Sequence, residues 1–152
     1  MPNRPASWPE LLGQERVERR SAERAELMGQ RMVAERNLAD ARLAGLSIEG
    51  RFGHALDAAR ALSTMVIRAE GYRALGEEGG HRSTYLALEA ADPAHFARRA
   101  AYFEVCRAKR DELGYDTLVR VTEAETGDLL REVEELRAIV DEWLRERHPD
   151  LA

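Results

Sequence analysis

Apolar residues recur along most of the chain at alternating spacings of three and four, the period of a helix with one buried face. Ser7, Pro9 and Glu10 supply an N-cap, a first-turn proline and a capping-box glutamate, which predicts a short helix running to about Arg19. Ser21 restarts the pattern. Leu27, Ala34, Leu38 and Ala41 then form a seam, with Glu23, Arg24, Glu35 and Arg36 on the other faces, so a longer helix is expected to end near Gly45. Beyond the LSIEG linker, Phe52, Leu56, Ala59, Ser63 and Val66 predict a third helix to about Leu75. GEEGG reads as a loop, and His81-Arg82-Ser83-Thr84 as the entry to a shorter helix over YLALEAA. Asp92 and Pro93 open a helix with Phe96, Ala100, Phe103 and Cys106 on one face, and Gly114 is placed as its left-handed stop. Thr122 and Glu125 form a second capping box before the clearest seam of all, Leu129, Val133, Leu136, Val140 and Trp143.

Residues 10–92 contain no proline, and runs of β-branched residues are absent, so no strand is expected. The pattern predicts an all-α protein, an antiparallel four-helix bundle with additional short helices. Residues 1–20 are read as a short N-terminal helical segment packing on the bundle, 21–148 as the bundle itself, and 149–152 as a tail.

With 152 residues, one core is the natural organisation; 44% hydrophobic and 34% charged residues suit a globular chain. A net charge of −5 leaves no global basic field to hold nucleic acid, so any RNA site must be a local patch. Cys106 stands alone, which excludes an internal disulfide and points to a reducing compartment. No signal-like or membrane-spanning apolar run is present, and a cytoplasmic location is expected, with no membrane partner.

His54, His81, His95 and His148 lack metal-ligand spacing, and no phosphate-binding glycine loop or GxSxG elbow occurs; no metal or cofactor is expected. Cys106 shares the Phe103 stripe and reads as a buried small hydrophobe, while Arg107 beside it leaves room for a lowered thiol pKa. The segment from Cys106 to Asp116 gathers Arg107, Lys109 and Arg110, the first and last on one helix face. Matching of cations to the helix macrodipole accounts for the same pattern, and Tyr115 could fold back as a hydrophobic cap.

RFGHALDAAR at 51–60, GYRALGEEGGHRSTY at 71–85, YFEVCRAKRDELGYD at 102–116 and VTEAETGDLLREVEELR at 121–137 carry, in order, a resemblance to bacterial HEPN-domain proteins. The resemblance implies a four-helix bundle with extra short helices, acting as a homodimeric, metal-independent ribonuclease of toxin or defence type, often beside a nucleotidyltransferase-like antitoxin. The family motif is an arginine, a polar residue and, four to six positions after the arginine, a histidine. Arg110 falls on the arginine and Asp111 on the polar position, but Tyr115 stands where the histidine is expected; Leu56 and Asp57 also depart from the family pattern.

The replacement matters because metal-free RNA cleavage needs a base for the 2′-hydroxyl proton, and a tyrosine of pKa about 10 is a poor base near neutrality. The implied function is RNA recognition with weak or degenerate cleavage, Arg110 and Tyr115 being the catalytic candidates. Arg107, Lys109, Asp111 and His81 are the RNA- or nucleotide-binding candidates, His81 being otherwise a helix-start cap. Two alternatives remain open: a non-enzymatic nucleotide- or RNA-binding module, and a dimeric interaction module.

Overall fold

The computed structural model describes residues 4–76, 80–115 and 120–152, the side chains of 80–82 and 115 excepted. These residues are mostly helical, in the order α1 (Trp8–Gly13), β1 (Val17–Arg19), α2 (Arg24–Ala41), α3 (Ile48–Ala69), β2 (Tyr72–Ala74), α4 (Gly80–Ala91), α5 (Pro93–Tyr115) and α6 (Glu123–Arg147). No helix among them is long and apolar enough to cross a membrane.

The central element is α3, which packs against α2, α4, α5, α6 and β2. Surrounded in this way, it is buried nearly all round: between Ala55 and Ala69 only Asp57, Arg60 and Thr64 escape burial. The expected seams meet it. Leu27, Ala34, Leu38 and Ala41 of α2 are buried, as are Phe96, Ala100, Phe103 and Cys106 of α5 and Leu129, Val133, Leu136, Val140 and Trp143 of α6. They join Phe52, Leu56, Leu62 and Met65 of α3 in one core, where each large side chain removed from water contributes about 1.5–3 kcal/mol. Ser63 lies wholly within it and donates its hydroxyl to the Ala59 carbonyl at 2.7 Å, so the buried oxygen costs little.

The helix ends obey the expected capping chemistry at Ser7, Thr122 and Asp92, and α3 starts at Ile48, inside the stretch expected to be linker, under a further cap, Ser47. Ser7 Oγ accepts from the Glu10 amide at 3.3 Å, Ser47 Oγ from the Gly50 amide at 3.0 Å, and Thr122 exchanges both capping-box bonds with Glu125. Asp92 caps α5 by accepting from the His95 amide.

Two helices are shorter than the sequence predicts because their ends form a ribbon instead. The first helix stops at Gly13 rather than near Arg19, and the third at Ala69 rather than near Leu75. Val17, Glu18 and Arg19 pair antiparallel with Ala74, Arg73 and Tyr72, and Gly71 makes the turn into β2 at φ 87°, a conformation glycine adopts without strain. Strand pairing between segments so far apart in sequence leaves no local period to read. Trp8 stacks on Tyr72 with ring centroids 4.0 Å apart, while Leu11, Val17, Ile67 and Ala87 form a small second core beneath.

Other boundaries also move. The second helix begins at Arg24, not Ser21, whose carbonyl accepts instead from Arg68; its C-cap is Arg42, four residues short of the loop expected after Gly45. Gly114 lies inside α5 and is not a left-handed stop. At the C-cap of α6, His148 Nε2 is 2.7 Å from Glu70 Oε2 and its ring packs on Trp143.

Candidate functional site

The three uncovered positions of α3, Asp57, Arg60 and Thr64, lie at helical spacing along one stripe. They form one wall of a cleft of about 550 Å³. Gln30, Val33 and Asn37 of α2 face them, and Arg73, Ala74 and Thr84 line the end toward the ribbon. The size falls in the range of small-ligand clefts, with polar groups set around an apolar floor of Val33, Ala61 and Ile67.

At one edge of this cleft, α5 delivers Arg110. Its Nη1 donates to Asp57 Oδ1 at 2.6 Å and its Nη2 to Oδ2 at 3.4 Å. The guanidinium lies over Gly53, one turn before Asp57; a Cβ at Gly53 would meet it at 3.5 Å, ordinary contact. Both partners are 36% exposed, so solvent reaches the pair and an incoming phosphate could compete for the fork.

His54 follows Gly53, and its Nδ1 lies 2.9 Å from Asn37 Oδ1. Asn37 in turn donates to the Val33 carbonyl, which fixes the amide and leaves the other ring nitrogen of His54 outside this bond. The sequence reading left His54 and Asn37 aside. The signal that could have found them is the spacing of Gly53, His54 and Asp57 on one helix, a small residue and two polar ones within a single turn.

The remaining predicted residues diverge. Arg107 donates Nε to Glu104 Oε1 at 2.8 Å and Nη1 to Asp111 Oδ2 at 2.7 Å, both on α5 itself. That first contact, with Glu104, holds its pKa above the ordinary arginine value. Lys109 turns to α6 and pairs with Glu125, whose carboxyl it keeps below the usual range. Each cation of the segment therefore has its own carboxylate, and only Arg110 reaches α3. The side chains of Tyr115 and His81 lie outside the described residues.

Cys106 is buried, and burial pushes its thiol up to about 11, the reverse of the lowering that Arg107 suggested; it is a protonated core residue at neutral pH. Of the cleft arginines, Arg68 is wholly engaged: it is 3% exposed and binds Glu26 and the carbonyls of Arg20, Ser21 and Tyr72. Arg73 pairs with Glu18 across the ribbon. Arg60 is exposed and makes no ion pair among the described residues, which leaves one guanidinium ready for an anion.

Comparisons with models of known protein families, with curated proteins and with solved structures find no match.

Proposed function

We propose that the chain is a HEPN-like helical bundle of toxin or defence type that engages RNA through Arg110, as a weak or catalytically degenerate metal-independent ribonuclease. It would work in the cytoplasm, as a homodimer and beside a nucleotidyltransferase-like antitoxin, as the family resemblance implies. The observation that supports this reading is the Arg110–Asp57 pair, half-exposed over Gly53 at the edge of a cleft whose wall carries Arg60, exposed and without an ion pair among the described residues. Arg110 clamps one phosphate and Arg60 receives the next, with the strand along the stripe of α3. Of the three histidines with described side chains, His54 is the one at this end; His95 and His148 lie with Asp92 and Glu70. It is the imidazole at this end of the cleft, a side chain of the type that moves protons in metal-free chemistry.

A second reading, a non-enzymatic module that binds RNA or nucleotide or serves only as a dimeric interaction module, has one observation on its side: Arg107, Lys109 and Arg110 are each already paired with a carboxylate, which weakens the phosphate site that cleavage needs. Digestion of labelled RNA in EDTA separates the two. Wild type is expected to cleave slowly, Tyr115→Phe and His54→Gln to lose that activity, and Tyr115→His, which restores the motif spacing, to cleave faster. Equal inactivity of all four proteins, each still folded, would leave the binding reading in place of the enzymatic one.

A further inference from the structure

Away from the Arg110 cleft, α4 and α5 enclose a smaller one of about 170 Å³. Each helix supplies it with residues at the same spacing, Tyr85, Leu86 and Glu89 from α4 and Ala100, Ala101 and Glu104 from α5. The helices are joined through Asp92 alone and form an antiparallel hairpin, in which the Tyr85 ring lies 5.8 Å from that of Phe103. Tyr85 therefore stands level with Glu104, and Glu89 with Ala100. The two carboxylates mark opposite ends of the cleft, about 6 Å apart along the helix axes, with Leu86, Ala100 and Ala101 between them.

The polar groups here lack the partners that burial calls for. Tyr85 is 3% exposed, yet its oxygen is not sealed and has no hydrogen-bond partner among the described residues, so it opens on the cleft that the residue lines. Burial first, and then charges that include Glu104, raise the phenol above its ordinary pKa and keep it a neutral hydroxyl. Glu89 is half-buried and takes part in no ion pair or hydrogen bond among the described residues; burial accordingly raises its carboxyl. Glu104 accepts from Arg107 Nε at 2.8 Å. A carboxylate has about four acceptor sites, so it keeps room for a further donor.

An anion would be repelled from both ends, and a neutral apolar molecule would leave the three oxygens unmet. A molecule with one cation satisfies only one end. What fits is a cation at each end of a short apolar stem, and four methylenes between two nitrogens span the distance between the two levels. Ammonium groups suit these oxygens, since each carries donors and no acceptor. A lysine side chain of a partner protein brings one ammonium, not two. Val105 is moreover the one exposed large hydrophobic residue on either helix among those described, too little apolar surface to seat a polypeptide. We propose that this cleft binds a short aliphatic diamine, one ammonium donating to Tyr85 Oη and Glu104, the other to Glu89, with the methylenes over Leu86, Ala100 and Ala101. None of these residues lines the Arg110 cleft, and the site stands whether or not RNA binds there.

Titration calorimetry tests it with tetramethylenediamine and, as the one-headed comparison, butylamine. Wild type should bind the diamine at least tenfold more tightly than butylamine. Glu89→Gln should remove that preference while leaving the affinity for butylamine nearly unchanged, because it neutralises one end only. Tyr85→Phe should weaken both amines several-fold with an unchanged thermal melt in their absence, since the hydroxyl it removes has no partner to lose. Ala101→Leu, at an exposed position, should fill the cleft and abolish binding. Failure of folded wild type to bind the diamine at millimolar concentration, equal affinity for the two amines, or undiminished diamine binding by Glu89→Gln or Ala101→Leu would overturn the proposal. A lysine-containing peptide that binds more tightly than the diamine would overturn it as well.

Discussion

The guanidinium of Arg110 on α5 and the carboxylate of Asp57 on α3, 53 positions apart in sequence, meet at 2.6 Å over Gly53. Asp57 occupies the fork that a phosphate would otherwise take. Because both side chains are partly solvated, the pair itself is worth only about 0–1 kcal/mol. Asp57→Asn should therefore leave the melting temperature nearly unchanged while tightening the binding of single-stranded RNA, a comparison made by fluorescence anisotropy alongside a thermal melt. Weaker RNA binding by Asp57→Asn would mean that the carboxylate orients Arg110 rather than competing for it.

Arg68 ties the ribbon to the helices. It is enclosed, and its donors are divided among Glu26 and three backbone carbonyls. Arg68→Met should cost about 3 kcal/mol in urea unfolding, because truncation leaves those carbonyls unsatisfied. Arg68→Lys should not rescue it, since an ammonium lacks the planar fork that reaches all four partners.

Acid should unfold the protein through particular carboxylates. The bond from Arg68 holds Glu26 below its ordinary pKa, and Lys109 does the same for Glu125. Burial raises Asp92, but bonds from His95 and Trp143 outweigh it and leave that pKa lowered too. A carboxylate depressed in the folded state contributes stability above its unfolded pKa of about 4 and loses it as pH falls through the folded value. The melting temperature should hold steady from these groups between pH 7 and 5 and drop below about pH 4.5. Glu26→Gln should lower it at pH 7 and flatten the acid limb.

The helical seams were legible because a buried face repeats every three or four residues, and Leu129 to Trp143 or Leu27 to Ala41 announce it locally. Caps at Ser7 and Thr122 fix their helix starts through bonds to residues three positions on, whereas Ser47 does the same from within a stretch whose Gly and Ser read as linker. The ribbon was not legible: Val17 and Ala74 carry no period, and their pairing depends on Gly71 and on Arg68 arriving from α3. At the site, Arg110 was readable as a cation at a helix end. Its partner was not, because nothing in the spacing of α5 tells that Lys109 turns to α6 while Arg110 turns to Asp57.

The salt dependence of RNA binding by wild type and Arg110→Ala tests the central claim most directly. Each phosphate neutralised on a single strand adds about 0.7 to the slope of log affinity against log salt. If Arg110 holds a phosphate at the edge of the cleft, Arg110→Ala should bind more weakly and its slope should fall by about 0.7, with Arg60→Ala showing a second loss of similar size. Superimposable curves for wild type and Arg110→Ala, both folded, would contradict the account and remove RNA from this end of the molecule.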